Sequence, residues 1–127
     1  MAAKTVIKPA KAAPAVGPYS HAVRIGDLLY CAGQIPLNPV TGKLAGNDIE
    51  TQTEQVLLNV KVILDDQGLT FAHVVKTTVF LTSLADFIGM NEIYTKFFGS
   101  DFPARTTVQV SALPRSSRVE IEVLAHY

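Results

Sequence analysis

The stretch that most constrains the fold lies near the C-terminus, where polar and apolar residues alternate strictly from Arg118 to Val123. A period of two marks a strand with one face against a core and the other turned elsewhere. Arg118, Glu120 and Glu122 share one side of that strand, against Val119, Ile121, Val123 and Ala125 on the other. A second alternation upstream puts Arg105, Thr107, Gln109 and Ser111 on one side and Thr106, Val108, Val110 and Ala112 on the other. The intervening LPRSS has the proline and serines of a turn. A cation at the head of one strand is thus expected to share a sheet with a carboxylate on the next, with the rest of the chain built around that pair.

The upstream elements follow from similar patterns. Residues 1–14, rich in Ala, Lys and Pro, form a loose arm or an extended edge segment. Gly17, Pro18 and Tyr19 make a restricted bend that fixes where the Tyr19 ring points. Two strands, over 21–24 and 28–32, flank a short turn, and Gly33 and Gln34 end the second. Asn38 to Gly42 is a further turn, with Pro near its start and Gly at its end. Asp48 caps a helix running to about Gln67, with Gly68 as its left-handed terminator. Ile49, Val56, Val60, Ile63 and Leu64 form its buried stripe. The β-branched run VVKTTVFL reads as a central strand. Ser83 and Asp86 are spaced as a capping box ahead of a second helix. Phe87, Met90, Tyr94, Phe97 and Phe98 share one broad face of that helix, with Asn91 among them.

The order strand, strand, helix, strand, helix, strand, strand describes one α+β domain over residues 1–127, a mostly antiparallel sheet with two helices on one face. The other face needs its own cover, and a second subunit is the simplest source. A chain of 127 residues is long enough for a sizeable core. Zero formal net charge with sparse charged residues excludes a basic field for nucleic acid or lipid. No apolar run reaches the length of a membrane span. The N-terminus lacks both a secretory apolar region and the Arg and Ser richness of a transit peptide, so a cytoplasmic location is expected. The single cysteine, Cys31, sits in the apolar run LLYCAG and suits a buried thiol in a reducing compartment.

Arg105 is the strongest candidate for chemistry, because a guanidinium fork grips a carboxylate in bidentate fashion as an ammonium cannot. The structural alternative is an ion pair with Glu120 or Glu122. Those two glutamates stand about 7 Å apart on one strand face, so they need a counter-charge or one of them holds its proton more tightly. Arg118, on the same face, is the obvious neutraliser; otherwise one glutamate holds or deprotonates a water, and the residues alone leave open which. Asn91 is either a hydrogen-bonding bridge or a ligand contact. Gly33 permits close approach of a ligand to the main chain. His21, His73 and His126 have no ligand spacing, Cys31 lacks an electropositive helix start, and no phosphate-cradling or dinucleotide-binding glycine motif is present. Neither a metal nor a cofactor is expected.

Six blocks together resemble the Rid, or YjgF-type, family in its RidA branch: GPYSHAV, CAGQIPLNPVTG, VVKTTVFL, DFIGMNEIYTKFF, FPART and RVEIE. The likeness runs from about residue 14 to the C-terminus. It implies a chorismate-mutase-like fold assembled as a homotrimer, with active sites between subunits. It implies hydrolysis of 2-iminobutanoate and 2-iminopropanoate to 2-keto acids and ammonia, which removes reactive enamines released by PLP-dependent dehydratases. By the same resemblance Arg105 clamps the substrate carboxylate, and Glu120 positions the attacking water. Tyr19 lines the pocket, Gly33 and the Thr107 backbone contact substrate, and Asn91 helps close the site. Ala32 stands where many members carry serine, which removes a hydroxyl contact. Thr107 replaces a commoner cysteine and matters less if its contact is through the main chain. Two other readings remain beside the deaminase: a trimer that binds or senses 2-keto acids without turnover, and a ribonuclease or translation inhibitor, which the charge balance disfavours.

Overall fold

The computed structural model describes residues 3–127; residues 1 and 2, the start of the expected arm, lie outside the described residues. Six strands form one sheet in the order β1-β2-β3-β6-β4-β5. They are β1 (Thr5–Ile7), β2 (Ala22–Ile25), β3 (Leu28–Gln34), β4 (Val74–Leu81), β5 (Ala104–Gln109) and β6 (Val119–His126). Every neighbouring pair is antiparallel except β4 and β5, which α2 (Phe87–Phe98) joins as a parallel crossover. The sheet is mixed and mostly antiparallel, as the pattern predicted. Of the two forms open to the N-terminal arm, Thr5–Ile7 takes the extended edge segment, paired with β2.

The helix α1 (Ile49–Asp66) starts where Asp48 accepts a hydrogen bond from the Thr51 N–H at 2.9 Å. The chain leaves it through Gly68, whose φ of 70° is open to glycine without Cβ strain. Its buried side includes the expected aliphatic stripe and, unexpectedly, Gln52 and Thr53. Gln52 is buried because it bridges two loops, donating to the Gly46 carbonyl and accepting from the Arg118 N–H, each at 2.8 Å. The capping box at the second helix does not form. Ser83 accepts from the Ala85 N–H, but this caps only a 3₁₀ turn over Leu84–Asp86, and α2 begins at Phe87. Asp86 turns away to meet Arg118 at 3.3 Å, an ion pair that wins over a neutral cap.

Both helices lie on one face of the sheet. Leu29, Val79, Leu81, Val119, Ile121 and Ala125 point into that interface and are fully buried. Tyr94 ties α2 to β4 through its hydroxyl, 2.8 Å from the buried Thr77 hydroxyl. Gly89 lets α2 approach α1 closely, since a Cβ there would stand 2.7 Å from Ile49 Cγ2. The opposite face has no helix over it. It shows Val6, Val23, Tyr30, Leu124, Thr78, Phe80 and Val108, with Tyr30 half exposed. Among the described residues no helix is long and apolar enough to cross a membrane.

Candidate active site

Register decides which candidates can meet. Thr77 pairs with Arg105 on one side and Val123 on the other, while Phe80 pairs with Glu120 and Thr78 with Glu122. Side chains alternate across a strand, so Arg105 and Thr107 join Thr77 and Val79 on the helix-covered face. Glu120 and Glu122 lie on the open face. Arg105 and Glu120 do share a sheet, as the sequence suggested, but β4 separates their strands and they point to opposite sides of it.

Arg105 is held by aromatic faces and not by acids. Its guanidinium carbon is 4.8 Å from the centre of the Tyr94 ring and 5.4 Å from that of Phe87. Its one hydrogen-bond contact is to the Met90 sulfur at 3.9 Å, a weak acceptor. The expected structural alternative, a pair with Glu120 or Glu122, is not made; among the described residues the salt bridges are Lys61–Asp65 and Arg118–Asp86. A half-buried guanidinium on an edge strand therefore keeps most of its N–H donors free. Two buried oxygens on the same side also lack partners, Asn91 Oδ1 and Thr107 Oγ1. The Asn91 side-chain oxygen thus makes no structural bridge among the described residues.

Glu120 occupies a different setting. Burial pushes its carboxyl above the ordinary glutamate range, and the neighbouring Glu122 charge pushes it further. Arg118 does not relieve that pair. Its guanidinium is taken by Asp86 and by the Asn47 carbonyl at 2.6 Å, a correction to the neutralising role read from the sequence. The Glu120 carboxylate lies against Gly33, where a built Cβ would come within 2.8 Å of Glu120 Cδ. A side chain at Gly33 would push the Glu120 carboxylate from this position, at an irregularity in the β3–β6 pairing between Cys31 and Gln34.

Glu120, Gly33, Ala32, Tyr19 and His21 line one cleft of about 560 Å³. The Tyr19 ring meets His21 edge-on, with centroids 6.2 Å apart. His21 Nε2 donates to the Ala13 carbonyl at 2.5 Å and so fastens the N-terminal arm as one wall. Arg115 stands at another wall on a loop where it and Ser116 have φ of 60° and 56°, the left-handed region. Sequence reasoning missed both His21 and Arg115. His21 was weighed only as a metal ligand, and LPRSS only as a turn. Cys31 is remote from any such role, because burial pushes its thiol up to about 12. Among the described residues no group of three or more His, Cys, Asp or Glu side chains converges as a metal site.

The fold defines a class: α+β proteins with one mixed sheet, helices on a single face, and candidate polar groups on both. Within that class the chain belongs to the Rid, or YjgF-type, family, whose model, described as Endoribonuclease L-PSP, matches residues 10–127. It is 46% identical to human 2-iminobutanoate/2-iminopropanoate deaminase over 122 residues, which covers 96% of this chain and 89% of that one. It superposes on YyfA of Yersinia pestis, described as a protein of unknown function in the conserved Rid family, with a TM-score of 0.94 and 50% identity, over 98% of this chain and 100% of that one. The structure of TdcF from E. coli with bound serine gives a TM-score of 0.92 at 38% identity, over 97% of this chain and 98% of that one.

Proposed function

We propose that this chain is an imine deaminase that hydrolyses 2-iminobutanoate and 2-iminopropanoate in sites completed between subunits of a homotrimer. The reaction balances without oxidant, reductant or cofactor: R–C(=NH)–COO⁻ and water give R–CO–COO⁻ and ammonia. Arg105 grips the carboxylate through its free fork. Glu120 takes a proton from a water as that water attacks the C=N carbon, and the nitrogen leaves protonated as the carbinolamine collapses. The Asn91 amide and the Thr107 backbone close the Arg105 side. Gly33 and Tyr19 hold the substrate on the Glu120 side. Each half orients one reacting partner, so the rate comes mainly from positioning.

One observation carries the reading: an arginine in no salt bridge among the described residues, and a half-buried glutamate, on opposite faces of one sheet. They cannot converge within a protomer, whereas the β5 edge of one copy docked on the open face of the next brings them together. Such a contact is head-to-tail, and it closes into a ring when the rotation permits. The human relative is named for these two imines, which supports the substrate class. Serine bound to TdcF is a small amino acid of similar size. An RNA-cleaving reading, which the family model's name invites, meets an open face where Glu120 and Glu122 outnumber Lys76, unlike the basic patch that phosphate binding calls for.

The test is keto-acid and ammonia release from imine generated in situ by a dehydratase. Arg105→Ala and Glu120→Gln chains are each expected to be inactive. Unfolded together and refolded as a mixture, they regain about a quarter of wild-type activity, because random assembly restores both groups to that share of shared sites. A mixture as inactive as its parts would rule out sites built across subunits.

A further inference from the structure

We infer that Arg118 is a positioning residue for both reacting groups, and that its contact with Asp86 sets the Glu120 end of β6 and the Phe87 end of α2 at once. The inference rests on the deaminase reading and adds a residue to that same machinery. Arg118 touches no reacting atom, so it acts through the two elements that it joins.

Placement is the first argument. Arg118 directly precedes β6, and Glu120 is the second residue of that strand. The ends of an element open more readily than its centre, so the setting of Glu120 depends on what holds the residue before the strand. Four contacts hold Arg118, each to a different part of the chain. Its N–H donates to the buried Gln52 side chain at 2.8 Å, and its carbonyl accepts from the Thr82 N–H at 3.1 Å. Its guanidinium donates to the Asn47 carbonyl at 2.6 Å and to the Asp86 carboxylate at 3.3 Å.

Asp86 supplies the second argument. It stands at the start of α2 yet makes no side-chain cap to that helix. Its side chain is only 14% exposed, so the acid end of the pair is largely out of water. The next residue, Phe87, opens α2 and puts its ring 5.4 Å from the Arg105 guanidinium carbon. The turn before it is tied to the Arg105 strand as well, since the Leu84 N–H donates to the Gln109 side chain at 2.9 Å. Without a cap, the angle at which α2 leaves that turn rests on the Asp86–Arg118 contact. One ion pair thus reaches Glu120 through two residues of backbone and Arg105 through one ring. Where sites are shared between copies, those two groups belong to different sites, so each pair serves two.

The experiment measures kcat and KM for dehydratase-generated imine with Arg118→Met, Asp86→Asn and the double variant, well below their melting temperatures. Each single change is expected to lower kcat/KM by about tenfold, since a misplacement of about 1 Å costs about 10². The double variant should be no worse than Arg118→Met alone, because both changes remove one contact. Asp86→Glu keeps a carboxylate and should restore most of the loss. Melting temperatures should fall by no more than about 5 °C, as a partly exposed pair adds little stability. Mixed refolding separates the two ends. With Arg118→Met in the Arg105→Ala chain only the working Glu120 is disturbed, and kcat should fall. In the Glu120→Gln chain only the working Arg105 is disturbed, and KM should rise. An identical loss in both placements would mark Arg118 as structural and overturn the inference. Unchanged kcat and KM in both single variants, or losses that multiply in the double one, overturn it too and leave the deaminase standing. No imine turnover by the unsubstituted chain removes both readings together.

Discussion

The two faces of the sheet use polar groups in opposite ways. On the helix-covered face the polar groups that tie elements together are matched, Thr77 with Tyr94 and Gln52 across two loops, while the buried Thr53, Asn91 and Thr107 oxygens are not. On the open face Glu120 sits half-buried beside another carboxylate, in no salt bridge among the described residues. The first arrangement stabilises the protomer. The second costs stability, since burial and like charge both oppose ionisation. Arg105 marks the boundary, lying on the covered side yet at the sheet edge with its donors free. Local rules broken in this way are what a functional site is expected to show.

The sharpest break in this comparison comes from removing the unmatched groups themselves. Glu120→Gln is expected to lower kcat by about 10² to 10⁴, the range for losing a general base. Arg105→Lys keeps the charge but loses the planar fork, and is expected to cost about 10² in kcat/KM through misplaced substrate. Neither change should destabilise the protomer. Glu120→Gln should raise its melting temperature at neutral pH, because a carboxyl above its ordinary range disfavours the folded state once ionised. The sign follows from linkage: between the unfolded and the folded value the folded chain binds more protons, so stability falls as pH rises through that window. Imine turnover and thermal melting measure the two effects. Lower activity with a lower melting temperature would show that Glu120 is structural.

A smaller effect separates the two causes acting on Glu120. The base form must be present for turnover, so the acid limb of kcat/KM should lie above the ordinary glutamate range. Glu122→Gln removes the like charge but not the burial, so the limb should move to lower pH without reaching the ordinary range. A limb that does not move would assign the whole shift to burial.

How much of this could be read beforehand follows from the kind of signal involved. Strand β4 was legible to the residue, because β-branched residues crowd Val74–Leu81. The start of α1 was legible from Asp48. The assignment of Arg105 and Glu120 to opposite faces was not. Period two sorts residues within one strand, and only the insertion of β4 between β5 and β6 relates the two strands' sides. The Arg118 ion pair escaped for a similar reason: Asp86 is distant in sequence and arrives through the turn before α2. Gly33 was read as permitting close approach of a ligand, and its contact with the Glu120 carboxylate of the same chain was not foreseen.

The finest test lies wholly on the matched face. Tyr94→Phe keeps the ring under the Arg105 guanidinium and removes only the hydroxyl that meets Thr77. Loss of that buried hydrogen bond should cost about 1 kcal/mol, with Thr77 left unpaired. In a chain of this size that lowers the melting temperature by roughly 3 to 5 °C. Turnover should fall by less than about twofold, since the ring, and not its hydroxyl, supports the cation. Glu120→Gln and Tyr94→Phe are then mirror images, one stabilising and inactive, the other destabilised and active. Should Tyr94→Phe lose activity as heavily as stability, the matched face would belong to the catalytic machinery, and the division of labour between the two sides of the sheet would not hold.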